Sequence, residues 1–227
     1  MNNTTQHMAC IFDLDGVLVD TAVYHYQAWK QLANSLGFDF THAQNEQLKG
    51  VNRMHSLDMI LKWGGIEKSE AEREALASLK NSWYVTMISK MTTDEVLPGS
   101  LKLLEDLKAE GIKIALGSAS KNSALILERT GLTHFFDAIV DGNAVTTSKP
   151  DPEVFVKAAE MLGAANIDCI VFEDALAGVQ AAITAGMHIV GVGDADNLPG
   201  AEIVIKDLSE ITIAELSALK NQETEKG

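Results

Sequence analysis

A doubly wound parallel α/β sheet carrying an inserted all-α segment is the fold class that the sequence predicts, and three observations predict it. Short apolar runs rich in strand formers recur along the chain, helical patterns alternate with them, and one long stretch near the start breaks the alternation.

The first run, MACIF (8–12), is apolar on both faces, as a parallel strand buried between helices must be. AVYHYQAWKQLANSLG (22–37) then carries apolar residues at helical spacing and stops at Gly37, and EKSEAEREALASLKNSWYVTMISK (67–90) reads as one long amphipathic helix. No convincing strand stands between, so residues 20–91 are expected to form a helical cap domain. Residues 1–19 and 92–227 then make the Rossmann-like core, re-entered at the Leu97-Pro98-Gly99 turn. From there SLKLLEDLKAEG (100–111) is a helix closed by Gly111, and IKIALG (112–117) and DAIV (137–140) are strands. PEVFVKAAEMLG (152–163) is a helix with Pro152 in its first turn, and CIVF (169–172), HIVGV (188–192) and EIVI (202–205) complete the sheet.

Composition narrows the function classes. The 227 residues are 46% hydrophobic and 22% charged, an ordinary globular balance. A net charge of −14 opposes nucleic acid and anionic membrane surfaces, so any anionic ligand must be met by local positive charge. Cys10 and Cys169 lie in apolar strand-like runs, which suits reduced thiols in a cytoplasmic protein. MNNTTQH lacks the build of a signal peptide, no apolar run approaches the roughly 18 residues of a membrane span, and the polar NQETEKG end is expected to fray. A monomer is expected.

Ligands of open α/β sheets bind outside the carboxyl ends of the strands. Asp13 and Asp15 follow the first strand, Ser118 the second and Glu173-Asp174 a later one, so all five should meet at one sheet edge. Four carboxylates crowded there repel one another unless a hard divalent cation joins them, and Mg²⁺ suits oxygen ligands and phosphate. GSASKN (117–122), containing Ala119, runs from a strand into a helix and offers hydroxyls and backbone N–H groups as a phosphate cradle. SKPDPE (148–153) aims the Lys149 ammonium from a proline-fixed loop. KGVNRMHS (49–56), with Gly50, offers Lys49, Arg53 and Ser56 within two helical turns, able to face one ligand. Each motif alone has a blander reading: a capping turn for Asp-x-Asp and for GSASKN, solvated lysines, a surface histidine at His25. Together they describe phosphoryl transfer, in which one carboxylate attacks and the other shuttles the proton. Asp13, at the strand end, is the expected nucleophile and Asp15 the acid and base.

DLDGV (13–17), SAS (118–120), SKP with Lys149, and ED (173–174) occur in that order, and the chain resembles the haloacid dehalogenase superfamily of phosphotransferases over nearly its whole length. FDLDGVLVDTAVYHYQAWKQLA, SKPDPEVF and FEDALAGVQAA are similar to its sugar-phosphate mutases. The resemblance implies that Asp13, the Asp15 backbone carbonyl and Asp174, with Glu173 beside it, bind Mg²⁺. It implies that Ser118 and Lys149 hold the transferring phosphoryl group, and that Ser120, Asn122 and Arg53 hold the second phosphate. Thr21 and His25 would lie at the hinge, with Lys80 linked to that histidine. The implied reaction interconverts β-D-glucose 1-phosphate and D-glucose 6-phosphate, with β-glucose 1,6-bisphosphate as priming donor. The alternative is a sugar-phosphate phosphatase; many phosphatases of this superfamily carry threonine where Val17 stands. Similar mutases commonly carry serine where Asn52 stands.

Overall fold

The structure is a computed structural model that describes residues 8–221, so the expectations for MNNTTQH and for the tail beyond Asn221 lie outside the described residues. All six strand-like runs are strands: β1 (Ala9–Phe12), β2 (Lys113–Gly117), β3 (Ala138–Val140), β4 (Cys169–Glu173), β5 (His188–Val192) and β6 (Ile203–Ile205). They form one sheet in the order β3-β2-β1-β4-β5-β6, and every pairing is parallel.

Four residues predicted inside strands, Met8, Ile112, Asp137 and Glu202, stand just outside. The Asp137 carboxylate accepts from the Ile114 N–H at 2.9 Å, and that of Glu202 from the Ile189 N–H at 3.0 Å. Ile112 donates its N–H to Leu107 O at 3.0 Å, finishing the helix before it. The Asp137 and Glu202 N–H groups also donate to Ile114 O and Ile189 O at 2.8 and 3.0 Å, so each closes a strand end with both backbone and side chain.

Strand periodicity sorts the core into two layers. Cys10 and Phe12 face the side covered by α5 (Ser100–Ala109), α6 (Ser123–Thr130) and α9 (Ile213–Asn221), where Leu103, Leu107, Ile126 and Leu216 pack. Ala9 and Ile11 face α7 (Glu153–Leu162) and α8 (Leu176–Ala185), with Phe155, Ala158 and Val179. Phe12 and Phe172 stack at 4.3 Å between adjacent strands. Each such side chain contributes about 1.5–3 kcal/mol by leaving water, and the stacked pair locks β1 beside β4. Both cysteines are buried and free.

Between β1 and β2 come α1 (Ala22–Ser35), α2 (His42–Glu46), α3 (Arg53–Trp63) and α4 (Glu70–Ile88). They pack around Trp29, Leu32, Phe40, Leu57 and Ile60, while Tyr84 and Ile88 at the end of α4 join the core beside the sheet. The predicted start of the long helix at residue 67 is corrected to Glu70. Ser69 forms a capping box with Glu72, and a residue whose side chain satisfies the first amides sits just before the helix. Among the described residues no helix is long and apolar enough to cross a membrane.

The chain turns to β2 and β3 on one side of β1 and to β4, β5 and β6 on the other. The carboxyl ends of β1 and β4 therefore flank the reversal in strand order, where the crevice of such a sheet opens.

Candidate active site

Asp13 directly follows β1, and its N–H donates to Phe172 O at 3.0 Å, which fixes its backbone against β4. Lys149, buried in the loop before α7, donates to the Asp13 carboxylate and, at 2.8 Å, to Oε2 of Glu173. Burial works against the Lys149 charge, but Asp13 and Glu173 outweigh it and hold the pKa above the usual lysine value. Lys149 is therefore a permanent cation beside Asp13.

Asp15 has a different partner. The Thr21 hydroxyl donates to its Oδ1, and Thr21, at the N-terminus of α1, caps no amide with that side chain. Desolvation first and Asp13 second push the Asp15 pKa up to about 6, against the Thr21 hydrogen bond and the Lys149 and Lys80 charges. A carboxyl group so placed can both release and take up a proton near neutrality. Asp13 is thus held by an ammonium group and Asp15 by a hydroxyl.

Asp13, Glu173 and Asp174 bring one oxygen each within 4.8 Å of one another. Burial, then Asp13, raises the Asp174 pKa, opposed by Lys49 at 3.5 Å. Gly16, at φ 85°, lies so close that a Cβ there would collide with the Asp174 carboxylate. This cradle of hard oxygens fits a divalent cation, because two ammonium groups leave the carboxylates still repelling. Glu173 is the least accessible member: fully buried, it also accepts from the Ala175 N–H at 3.1 Å.

Asp13, Asp15, Thr21, His25, Lys49, Gly50, Arg53, Ser56, Lys80, Ala119, Ser120, Asn122, Lys149 and Asp174 all line one cavity of about 610 Å³. Ser118 and Glu173 stand behind its wall. Ser118 spends its N–H on Val140 O at 3.0 Å, and its Oγ accepts from the Ser120 N–H at 3.1 Å, so it shapes the turn. Ser120 Oγ in turn accepts from the Asn122 N–H at 3.2 Å.

The reading of Lys49, Arg53 and Ser56 as successive turns of one helix is corrected. Asn52 caps α3 with its side chain, so Lys49 and Gly50 precede the helix and only Arg53 and Ser56 belong to it. Folding nonetheless brings all of them to the cavity.

On the helical side, Lys80 Nζ lies 3.2 Å from His25 Nδ1 and sits over the rings of Trp29 and Tyr84 at 4.4 and 4.6 Å. Burial, with Lys80 and Arg53 adding to it, drives the His25 pKa well below its usual value, so the imidazole is neutral. With the ammonium as donor, Nδ1 accepts and the ring proton sits on Nε2. Sequence reasoning missed Trp29, Asn81 and Tyr84, which also line the cavity; Asn81 accepts from Asn122 Nδ2 at 3.0 Å. The one available signal was the four-residue step from Lys80 to Tyr84, which puts both on one helix face.

Burial lowers the Lys80 pKa from 10.5 to about 7, with Arg53 adding and Asp15 opposing. The unfolded chain then binds a proton that the folded one lacks, so this group makes stability rise with pH between those values. Lys80→Met is expected to stabilise the ligand-free protein by about 1–4 kcal/mol below pH 7, where the cost is complete, and to flatten that rise. Thermal denaturation from acid to mildly alkaline pH checks it; an unchanged slope contradicts the assigned cost.

The comparisons agree with this geometry. A family model described as haloacid dehalogenase-like hydrolase matches residues 10–192. The chain is 45% identical over 207 residues to β-phosphoglucomutase of Bacillus subtilis, covering 90% of this chain and 92% of that protein. It is 33% identical over 188 residues to a phosphorylated carbohydrates phosphatase of Thermotoga maritima, covering 81% and 84%. The crystal structure of β-phosphoglucomutase from Clostridium difficile superposes with a TM-score of 0.91 at 42% identity, covering 95% of this chain and 98% of that one. With the strand-end carboxylates, the buried lysine and the inserted helices all on the matched length, the chain belongs to the haloacid dehalogenase-like hydrolase family.

Proposed function

We propose that the protein is a Mg²⁺-dependent β-phosphoglucomutase, an isomerase that interconverts β-D-glucose 1-phosphate and D-glucose 6-phosphate. The observation that carries the reading is the separation of partners in one cavity: Lys149 on Asp13, Thr21 on Asp15. The 45% identity to the Bacillus subtilis mutase supports the choice of reaction.

An Asp13 carboxylate oxygen attacks the phosphorus, an Asp13–phosphoryl bond forms and the phosphorus–oxygen bond to the sugar breaks. Asp15 delivers its proton to the departing sugar oxygen, and in the reverse step takes one from the attacking sugar hydroxyl. Lys149 lies beside Asp13, where negative charge accumulates on the transferring group. Ser118, whose Oγ also shapes the turn bearing Ser120, holds the transferring phosphoryl group with Lys149, and Ser120, Asn122 and Arg53 hold the second phosphate. β-Glucose 1,6-bisphosphate phosphorylates Asp13 in the first place. Bound through Asp13, Asp174 and the Asp15 carbonyl, Mg²⁺ would offset charge on the phosphoryl oxygens.

Residues 20–91 act as a cap domain over a core made of the rest, with Thr21 and His25 at the joint. Lys80 and His25 keep the closed site polar yet dry, which protects the phosphorylated aspartate from water. The strongly negative chain, −14, is read as a cytoplasmic monomer without nucleic-acid or membrane partners.

The second reading, a sugar-phosphate phosphatase, is favoured by the Thermotoga maritima relative at 33% identity. One assay separates them. With β-glucose 1-phosphate, Mg²⁺, a trace of bisphosphate and a glucose 6-phosphate dehydrogenase readout, steady formation of glucose 6-phosphate is expected. Inorganic phosphate released without glucose 6-phosphate overturns the mutase.

A further inference from the structure

Asn52 ends the turn that follows α2 and begins α3, whose first residue is Arg53. Its Oδ1 accepts from the His55 N–H at 2.9 Å, and its Nδ2 donates to Ser148 Oγ at 2.8 Å. The His55 amide can only donate, so the oxygen must face it and the nitrogen must face Ser148, which therefore accepts. Ser148 immediately precedes Lys149, 96 positions along the chain from Asn52, and both ends of the bond line the cavity. One side chain thus joins the helix start that carries Arg53 to the loop that carries Lys149.

Besides the bonds at the joint, Thr21 to Asp15 and Tyr24 to Glu95, two other side-chain polar contacts among the described residues join residues 20–91 to the core, Lys49 to Asp174 at 3.5 Å and Asn122 to Asn81 at 3.0 Å. Each uses a group that ligand also claims: Asp174 belongs to the carboxylate cradle and Asn122 to the anion turn. The Asn52–Ser148 bond uses no member of either set, so it can persist while substrate and cation are bound.

We propose that Asn52 is a positioning residue: by bonding Ser148 while capping α3, it registers Arg53 against Lys149, so that both phosphates of one sugar bisphosphate are held in a closed, dry site. This rests on the mutase reading for its substrate. Serine in place of Asn52 caps a helix about as well but is too short to keep the bond to Ser148, which separates capping from bridging.

The test is a double-mutant cycle of Asn52→Ser and Ser148→Ala. Each single variant is expected to lose about fivefold to tenfold in kcat/KM, the double variant to lose no more than either, and thermal stability to stay near wild type. Phosphate released per glucose 6-phosphate formed should rise, because a poorly registered cap admits water to the phosphorylated aspartate; a role in capping alone leaves that ratio unchanged. Hydrogen exchange supplies a readout without turnover: Asn52→Ser should speed exchange in residues 146–151 and Ser148→Ala in residues 49–56. Additive losses, an unchanged kcat/KM in Asn52→Ser, or exchange changes confined to the mutated side overturn the proposal. Wild-type enzyme that makes no glucose 6-phosphate overturns the mutase reading instead, and the exchange experiment still decides the bridge.

Discussion

Asp13→Asn is expected to abolish mutase turnover, with kcat falling by about 10⁴-fold or more, because the amide cannot form the phosphoryl ester through which both half-reactions pass. The fold should survive. Asparagine is isosteric, Lys149 keeps Glu173 at 2.8 Å, and the Asp13 N–H to Phe172 bond belongs to the backbone. Incubation with labelled bisphosphate should leave an acid-stable, hydroxylamine-labile mark on wild type and none on the variant. Retention of more than about a hundredth of wild-type kcat moves the nucleophile elsewhere, since loss of an obligate nucleophile costs far more than loss of a supporting contact.

The strands and the strand-end acids were legible in the sequence because parallel strands buried on both faces must be apolar throughout, so an aspartate or glutamate after such a run marks its carboxyl end. Asp13, Asp15, Glu173 and Asp174 came from that pattern alone, and the sheet order brings Asp13 and Glu173 side by side across β1 and β4. The helical side was harder to read. Lys80 is buried, yet no neighbour in sequence distinguishes it from a solvated lysine; its environment is made by Trp29 and Tyr84, whose contribution depends on how α1 and α4 cross. The Lys49–Arg53–Ser56 set was recognised for its charge and misread in geometry. Asparagine at 52 ends one turn and starts another helix, and nothing in the charge pattern reports that break. Thr21 illustrates the same limit: before a helix a threonine reads as a cap, but here its hydroxyl is claimed by Asp15, six residues earlier.

The second large effect is expected at Lys149, where catalysis and folding draw on one ammonium group. Lys149→Met should lower kcat by about 10²–10³-fold, the usual loss when a donor aimed at developing charge is removed, and should destabilise the protein by about 3–5 kcal/mol by stranding Asp13 and Glu173. The two losses can be separated. Glu173→Gln added to Lys149→Met removes one stranded charge and should restore most of the stability in urea denaturation, while kcat stays low because no cation stands beside Asp13. The pH dependence has a definite sign. Burial, followed by Asp13 and Asp174, already raises the Glu173 pKa above the usual glutamate value of 4.5, and Lys149 works against that rise. Without Lys149 the folded state keeps the Glu173 proton to still higher pH, so the stability deficit of Lys149→Met should widen as pH rises past about 8, where Glu173 ionises in the folded wild type, until it ionises in the folded variant as well. In the double variant that widening should largely disappear. Recovery of kcat together with stability in Lys149→Met/Glu173→Gln reduces Lys149 to a neutralising strut and leaves charge compensation at the phosphoryl group to other residues.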